Sequence, residues 1–202
     1  IKKKGKVFYL IFSSLAWVSA KYRKHKRVVL GRMPRFGNET PVSIYIGKSK
    51  GVLVCSLLFL PYLLAQKKFD AVRQRFGGRL RLAVSGGGTL AGFLEEWIDA
   101  VGIRIVNAYG MTETSPAIAG RGLRCRTYGT LGPAVPYTDL RIVSETGDVL
   151  PCGQEGLIEV KGPQVTQGYD NSDAENAKAF TDDGFFRTGD LGKLTINDEL
   201  II

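Results

Sequence analysis

The stretch from Leu80 to Asn107 constrains the fold more than any other part of this chain. A short apolar run, Leu80 to Val84, leads into Ser85-Gly86-Gly87-Gly88-Thr89. An amphipathic run, Leu90 to Val101, follows, and then a second apolar run, Ile103 to Asn107. Strand, glycine turn, helix and strand in that order specify a β-α-β unit, which requires a parallel sheet with a helix on its face. Upstream, Val7 to Val29 and Val52 to Phe76 read as helices, the second ending at Gly77-Gly78. Arg32 to Lys50, with Pro34, Gly37, Pro41 and Gly47, reads as a loop. Beyond Pro116, glycine and proline become frequent, and Asp139 to Val143, Leu157 to Lys161 and Leu191 to Ile196 alternate as antiparallel strands do. The expected fold is α/β: a parallel sheet with flanking helices, then a small antiparallel β-rich subdomain. The expected division places a basic helical segment and the α/β part in residues 1–118 and the β-rich part in 119–202.

The composition, 44% hydrophobic and 23% charged over 202 residues, is that of a folded chain with a real core. Charge is divided unevenly. Residues 1–80 carry 18 Lys and Arg against Glu39 and Asp70, a net +16, while residues 81–202 carry 10 against 17, a net −7. The first part therefore favours an anionic partner. Lysines and arginines bracket the apolar stretch Val7 to Ala20, a pattern that fits an anionic membrane surface better than nucleic acid. That stretch, and a second from Val52 to Ala65 interrupted by Pro61, both fall short of the about 20 residues needed to span a bilayer. A buried helix, an interfacial helix and a span or signal are the readings left open. Cys55, Cys125 and Cys152 form no Cys-x-x-Cys pair and point to a reducing compartment. The single histidine, His25, lies in a basic cluster, which leaves His-based triads and His-rich metal sites without support.

Three places carry residues suited to chemistry. Asn107-Ala108-Tyr109-Gly110-Met111-Thr112-Glu113-Thr114-Ser115-Pro116 places a ring, a turn-permitting glycine, a hydroxyl and a carboxylate together. The ring can stack on a base, Thr112 can donate to a phosphate and Glu113 can hold Mg²⁺, a hard cation that prefers oxygen. The same run also reads as a loop leading to a capped helix. Gly86, Gly87 and Gly88 lie where open α/β sheets bind ligands, at the carboxyl end of a parallel strand. The spacing Gly86-x-Gly88-x-x-Ala91 nominally meets a dinucleotide fingerprint, but Ala108 and Tyr109 stand where its ribose-binding acid belongs. A glycine turn with no ligand is the other reading. Gly47-Lys48-Ser49 is no P-loop, because Val42 replaces the required glycine. Asp190, read as a turn acid between Gly189 and Gly192, can accept the hydroxyls of a ribose or simply be a solvated hairpin acid.

Taken in order, Ser85 to Leu90, Asn107 to Pro116, Gly129-Thr130-Leu131-Gly132-Pro133-Ala134-Val135-Pro136, Gly156 to Gly162 leading to Gly168-Tyr169, and Arg187 to Gly192 resemble the adenylate-forming superfamily of acyl-CoA synthetases. Phe76-Gly77-Gly78-Arg79-Leu80-Arg81 and the Thr114-Ser115-Pro116 ending look most like its long-chain fatty acyl-CoA synthetases and their acyl-carrier-protein-ligating relatives. The resemblance implies that Gly86, Gly87 and Gly88 form a wall between adenine and acyl sites. Tyr109 would stack on adenine, with Asn107 and Ala108 along its edge and Gly110 and Met111 continuing the nucleotide-binding run. Thr112 would bind the α-phosphate, Glu113 would bind Mg²⁺, and Asp190 would hold the ribose. It implies ATP and Mg²⁺ as cofactors, a fatty acid as substrate, and coenzyme A or an acyl carrier protein as thiol acceptor; a non-catalytic nucleotide-binding or membrane-tethering module that keeps the adenylate pocket without turnover is the other reading. It also implies a cytoplasmic enzyme, peripheral at the inner face of the membrane.

Departures from the family pattern set a further expectation. No Ser/Thr/Gly-rich phosphate loop precedes Ser85, and the family's hinge and lysine-bearing lid would follow Ile202. The chain begins without methionine and ends in a strand-like Glu199-Leu200-Ile201-Ile202 after Asn197-Asp198, so it reads as a piece of a longer protein, inactive by itself.

Overall fold

A computed structural model describes residues 2–80, 82–122, 125 and 127–202. The chain divides into two compact units, one of residues 1–33, 40–84 and 90–105, the other of 34–39, 85–89 and 106–202.

The first unit is built on three helices. Helix α1 spans Lys2–Val29 and α2 spans Pro41–Gln74. Residues 41–50, expected as loop, are thus helical, because the Thr40 side chain accepts from the Ser43 N–H and Pro41 opens the first turn, where its missing N–H is no loss. Pro61 does not end α2 either. The result is a 34-residue helix that is long and apolar enough to cross a membrane by length and composition, where the apolar stretches read from sequence fell short. Gly51 lets α1 and α2 approach closely: a Cβ there would lie 2.8 Å from Val29 Cγ2 and 3.1 Å from the His25 carbonyl. Helix α3, Gly92–Val101, ends at Gly102 in the left-handed conformation, as helices often do. Ala65, Phe69, Val101 and Ile103 form the core of this unit, with Phe12 edge-on to Phe69. Around it, the Ser19 hydroxyl and the Gln66 amide both donate to the Ala100 carbonyl, and Arg23 and Arg27 pair with Asp99.

Strand β1 (Ala83–Ser85) precedes α3 and β2 (Ile105–Gly110) follows it, giving the expected β-α-β unit; residue 81 of the expected first strand lies outside the described residues. A short β3 (Ala117–Gly120) pairs antiparallel with β2, so the three-stranded sheet, in order β1-β2-β3, is mixed. Four residues are too few to show an alternating pattern, which is why β3 escaped the sequence reading.

In the second unit, β4 (Asp139–Val143), β5 (Gly156–Lys161), β6 (Phe186–Leu194) and β7 (Leu200–Ile201) form an antiparallel sheet in chain order, with α4 (Asp173–Ala179) between β5 and β6. Ile142, Ile158, Val160, Phe186 and Leu200 join Ile118 and Ala119 in one core. The buried Glu159 carboxylate is held by Arg141 and Arg187. Ile158, fully buried on the central β5, anchors this core. Ile158→Ala is expected to lower the unfolding free energy by about 2 to 5 kcal/mol, read as a shift in the denaturant midpoint.

Candidate functional site

All the residues singled out from sequence as nucleotide-binding lie in the second unit. Strand β2 carries Asn107, Ala108 and Tyr109, with Ala108 opposite Gly120 and Tyr109 opposite Ala119 of β3, and a bulge falls between Tyr109 and Gly110. Gly110 is required there: a Cβ would sit 1.7 Å from the Pro116 carbonyl oxygen and 2.9 Å from Ala117 Cα. The chain then makes one turn of 3₁₀ helix, Thr112–Thr114. Thr114 is fully buried and fixes this turn from within; its Oγ1 accepts from the Met111 N–H at 3.1 Å and lies 2.9 Å from the carbonyls of Met111 and Pro116. With Thr114 turned inward, Thr112 is exposed and Glu113 half-buried. The Met111 side chain packs against the core.

Two contacts far apart in sequence complete the arrangement. The Thr166 N–H donates to the Glu113 carbonyl at 2.7 Å, which ties the segment after β5 to the turn. That tie brings Tyr169 close enough for its hydroxyl to donate to Glu113 Oε1 at 2.9 Å. Donating to a carboxylate pushes the Tyr169 pKa up. In the sequence Tyr169 stands out only as the end of the Gly168-Tyr169 motif. Its partnership with Glu113, 56 residues away, has no signal in the sequence.

Asp190 is not in a turn between short strands, as expected. It lies within the single nine-residue strand β6, at an irregularity where Leu157 and Glu159 of β5 pair with Leu191 and Arg187. Two extra residues on β6 make a bulge, and Gly189 takes φ +80° within it. Thr188 steadies the bulge by donating to the Ile158 carbonyl and accepting from the Asp190 N–H. The bulge aims Asp190 at β2, where the Tyr109 hydroxyl donates to Asp190 Oδ2 at 2.6 Å. Burial, and then this bond to a carboxylate, push the Tyr109 pKa well above its ordinary value.

The glycine loop completes the set. A Cβ at Gly86 would lie 3.5 Å from the Ala108 carbonyl, Gly87 takes φ +76°, and around Gly88 no atom lies within 4 Å of where a Cβ would be. A bare strip of backbone thus runs beside Ala108, open to a flat ligand. Next to it stand an aromatic ring joined to a carboxylate, and an exposed hydroxyl beside a second carboxylate. Among the described residues no three His, Cys, Asp or Glu side chains cluster as metal ligands. Mg²⁺ asks for less than that, since one or two carboxylates plus phosphate and water oxygens complete its shell. Glu113 fits such a site, because Tyr169 takes Oε1 and leaves Oε2 available.

The family model described as AMP-binding enzyme matches residues 51–170, a stretch that holds the glycine loop, β2, the 3₁₀ turn and Tyr169. This chain belongs to the AMP-binding enzyme family. Among AMP-binding enzymes and their relatives, it is 35% identical over 185 residues to "Probable acyl-activating enzyme 16, chloroplastic" of Arabidopsis thaliana, covering 90% of this chain and 26% of that protein. It is 32% identical over 182 residues to the chloroplastic long-chain-fatty-acid–[acyl-carrier-protein] ligase AEE15 of the same plant, covering 89% of this chain and 25% of that one. Long-chain-fatty-acid–CoA ligase 1 of Schizosaccharomyces pombe is 38% identical over 123 residues, 59% of this chain and 18% of its own length. The crystal structure of ATP-bound MatB from Rhodopseudomonas palustris superposes with a TM-score of 0.60 at 38% identity, covering 64% of this chain and 26% of that one. The chain spans about a quarter of the length of the first two relatives. The α/β architecture read from sequence is therefore the architecture of AMP-binding enzymes.

Proposed function

We propose that this chain forms part of an ATP-dependent fatty acid ligase, which activates a long-chain fatty acid as acyl-AMP and passes the acyl group to coenzyme A. The observation that carries the reading is the 2.6 Å bond from Tyr109 to Asp190, which joins a stacking surface to a carboxylate fit for ribose hydroxyls. In the first step a carboxylate oxygen of the fatty acid attacks the α-phosphorus of ATP, and pyrophosphate leaves. In the second, a thiol sulfur attacks the acyl carbonyl, loses its proton, and AMP leaves. Because the acid, the α-phosphate and pyrophosphate are all anionic, alignment and charge neutralisation dominate the first step. A bound Mg²⁺ would supply part of that neutralisation. Within this chain, the Gly86–Gly88 backbone and Tyr109 would hold the adenine, Asp190 the ribose, Thr112 the α-phosphate, and Glu113 the metal.

An acyl carrier protein as acceptor is the second reading, favoured by the resemblance to AEE15 across 89% of this chain. Fatty-acid-dependent exchange of labelled pyrophosphate into ATP by the longer protein that contains this chain tests the first step, and a survey of acids of different length tests the substrate. Absence of exchange with every fatty acid overturns the proposal. Product assays with coenzyme A and with a phosphopantetheinylated carrier protein separate the acceptors.

The Tyr169 hydroxyl orients Glu113, so Tyr169→Phe in the longer protein is expected to raise the Mg²⁺ concentration for half-maximal exchange about tenfold. The KM for fatty acid should stay near its original value. An unchanged Mg²⁺ dependence would show that the phenol plays no part in holding the carboxylate.

A further inference from the structure

Tyr169 reaches Glu113 from a loop, and one side chain holds that loop at Tyr169. The Tyr169 N–H donates to Asn176 Oδ1 at 2.7 Å, and Asn176 Nδ2 donates to the Tyr169 carbonyl at 2.9 Å. A single carboxamide, with its acceptor oxygen and its NH₂ donor, thus closes on both polar main-chain groups of Tyr169 and fixes the backbone from which the phenol projects. Gly168 makes room for it. A Cβ there would lie 3.0 Å from Asn176 Oδ1 and 3.1 Å from Asn176 Cγ and Nδ2, and the backbone takes φ +141°, which a glycine adopts readily.

Asn176 is anchored in turn. It lies on α4, where Ala179 and the following Phe180 pack against the core of the second unit. Arg187 of β6 donates to the carbonyls of Lys178 and Phe180 at 2.9 and 2.8 Å, which ties the end of α4 to the strand that carries Asp190. We propose that Asn176 is a positioning residue for Glu113: α4 acts as a strut that, through the main chain and hydroxyl of Tyr169, holds the Glu113 carboxylate by Oε1 and so leaves Oε2 for Mg²⁺. Strand β6 then supports both carboxylates, Asp190 directly and Glu113 by way of α4. The inference rests on the proposed role of Glu113 at the metal, and it adds a residue that lies in none of the motifs read from the sequence.

The test uses the longer protein, with its tyrosines isotopically labelled at the phenol carbon and observed by NMR. The Tyr169 signal is assigned by its loss in Tyr169→Phe. Glu113→Gln is expected to shift that signal, because the acceptor loses its charge, and Asn176→Ala and Gly168→Ala are expected to shift it in the same direction. The Mg²⁺ concentration for half-maximal pyrophosphate exchange should rise about fivefold in Asn176→Ala, but less than about twofold when that substitution is added to Tyr169→Phe, since the two act through one contact. A residue that merely stabilised the fold would move both backgrounds equally. A Tyr169 signal unmoved by Asn176→Ala overturns the proposal, and so does a rise in the Mg²⁺ requirement that is the same in both backgrounds. Failure of the underlying reading looks different: Glu113→Gln would then shift the Tyr169 signal and leave the Mg²⁺ dependence alone. That result would strike the metal role of Glu113 and this proposal with it, whereas the other two strike Asn176 alone.

Discussion

Replacing Glu113 by glutamine in the longer protein is expected to lower the rate of Mg²⁺-dependent adenylation by about a hundredfold or more. The substitution is nearly isosteric, and the turn that carries it is fixed by Thr114 and by the Thr166 N–H on the Glu113 main-chain carbonyl, neither of which it touches. What changes is the charge of the proposed metal ligand. A neutral amide binds a hard dication poorly, and the proposed first step brings three anionic groups together, so loss of the metal would fall on the chemical barrier rather than on fatty acid binding. The check is pyrophosphate exchange measured against Mg²⁺ concentration. A rate close to that of the original protein would remove Glu113 from the metal site and return it to an ordinary helix-start carboxylate.

Gly110→Ala should be at least as damaging, by a different route. A Cβ 1.7 Å from the Pro116 oxygen cannot be accommodated by a side-chain rotation, because the obstacle is main chain. Strand β2 and the 3₁₀ turn would have to separate, and with them the registers that place Tyr109 and Glu113. A loss of about 3 kcal/mol or more in unfolding free energy is expected, at the upper end for overpacked sites. Gly88→Ala is the control, since its Cβ would meet nothing within 4 Å and its stability should change by less than about 0.5 kcal/mol. Equal midpoints for the two variants in a denaturant titration would refute the steric account.

Local pattern carried much of this fold. Strand β4 has the bounds that alternation predicts, Asp139–Val143, and α3 and the glycine loop fall where the β-α-β spacing puts them. The start of α2 was misread because Pro41 and Gly47 were counted as loop formers. At a first helical turn proline is favourable, and the closely packed glycine of this helix, Gly51, is held by tertiary contact with α1. The site residues themselves were legible as types, and their partnerships were not. Tyr109 and Asp190 are 81 residues apart and meet only because a bulge in β6 turns one strand toward another. Glu113 and Tyr169 meet through a main-chain bond made by Thr166, which no side-chain pattern announces.

The bond between Tyr109 and Asp190 has a consequence for how a ligand is received. A free carboxylate on a strand samples several rotamers, and a ligand that selects one of them loses that entropy on binding. Here the phenol holds the carboxylate by one oxygen before any nucleoside arrives, so its orientation is settled during folding. The pair is preorganised: rigidity that would otherwise oppose association is built into the chain, and a ribose held as proposed would meet an acceptor that is already aimed.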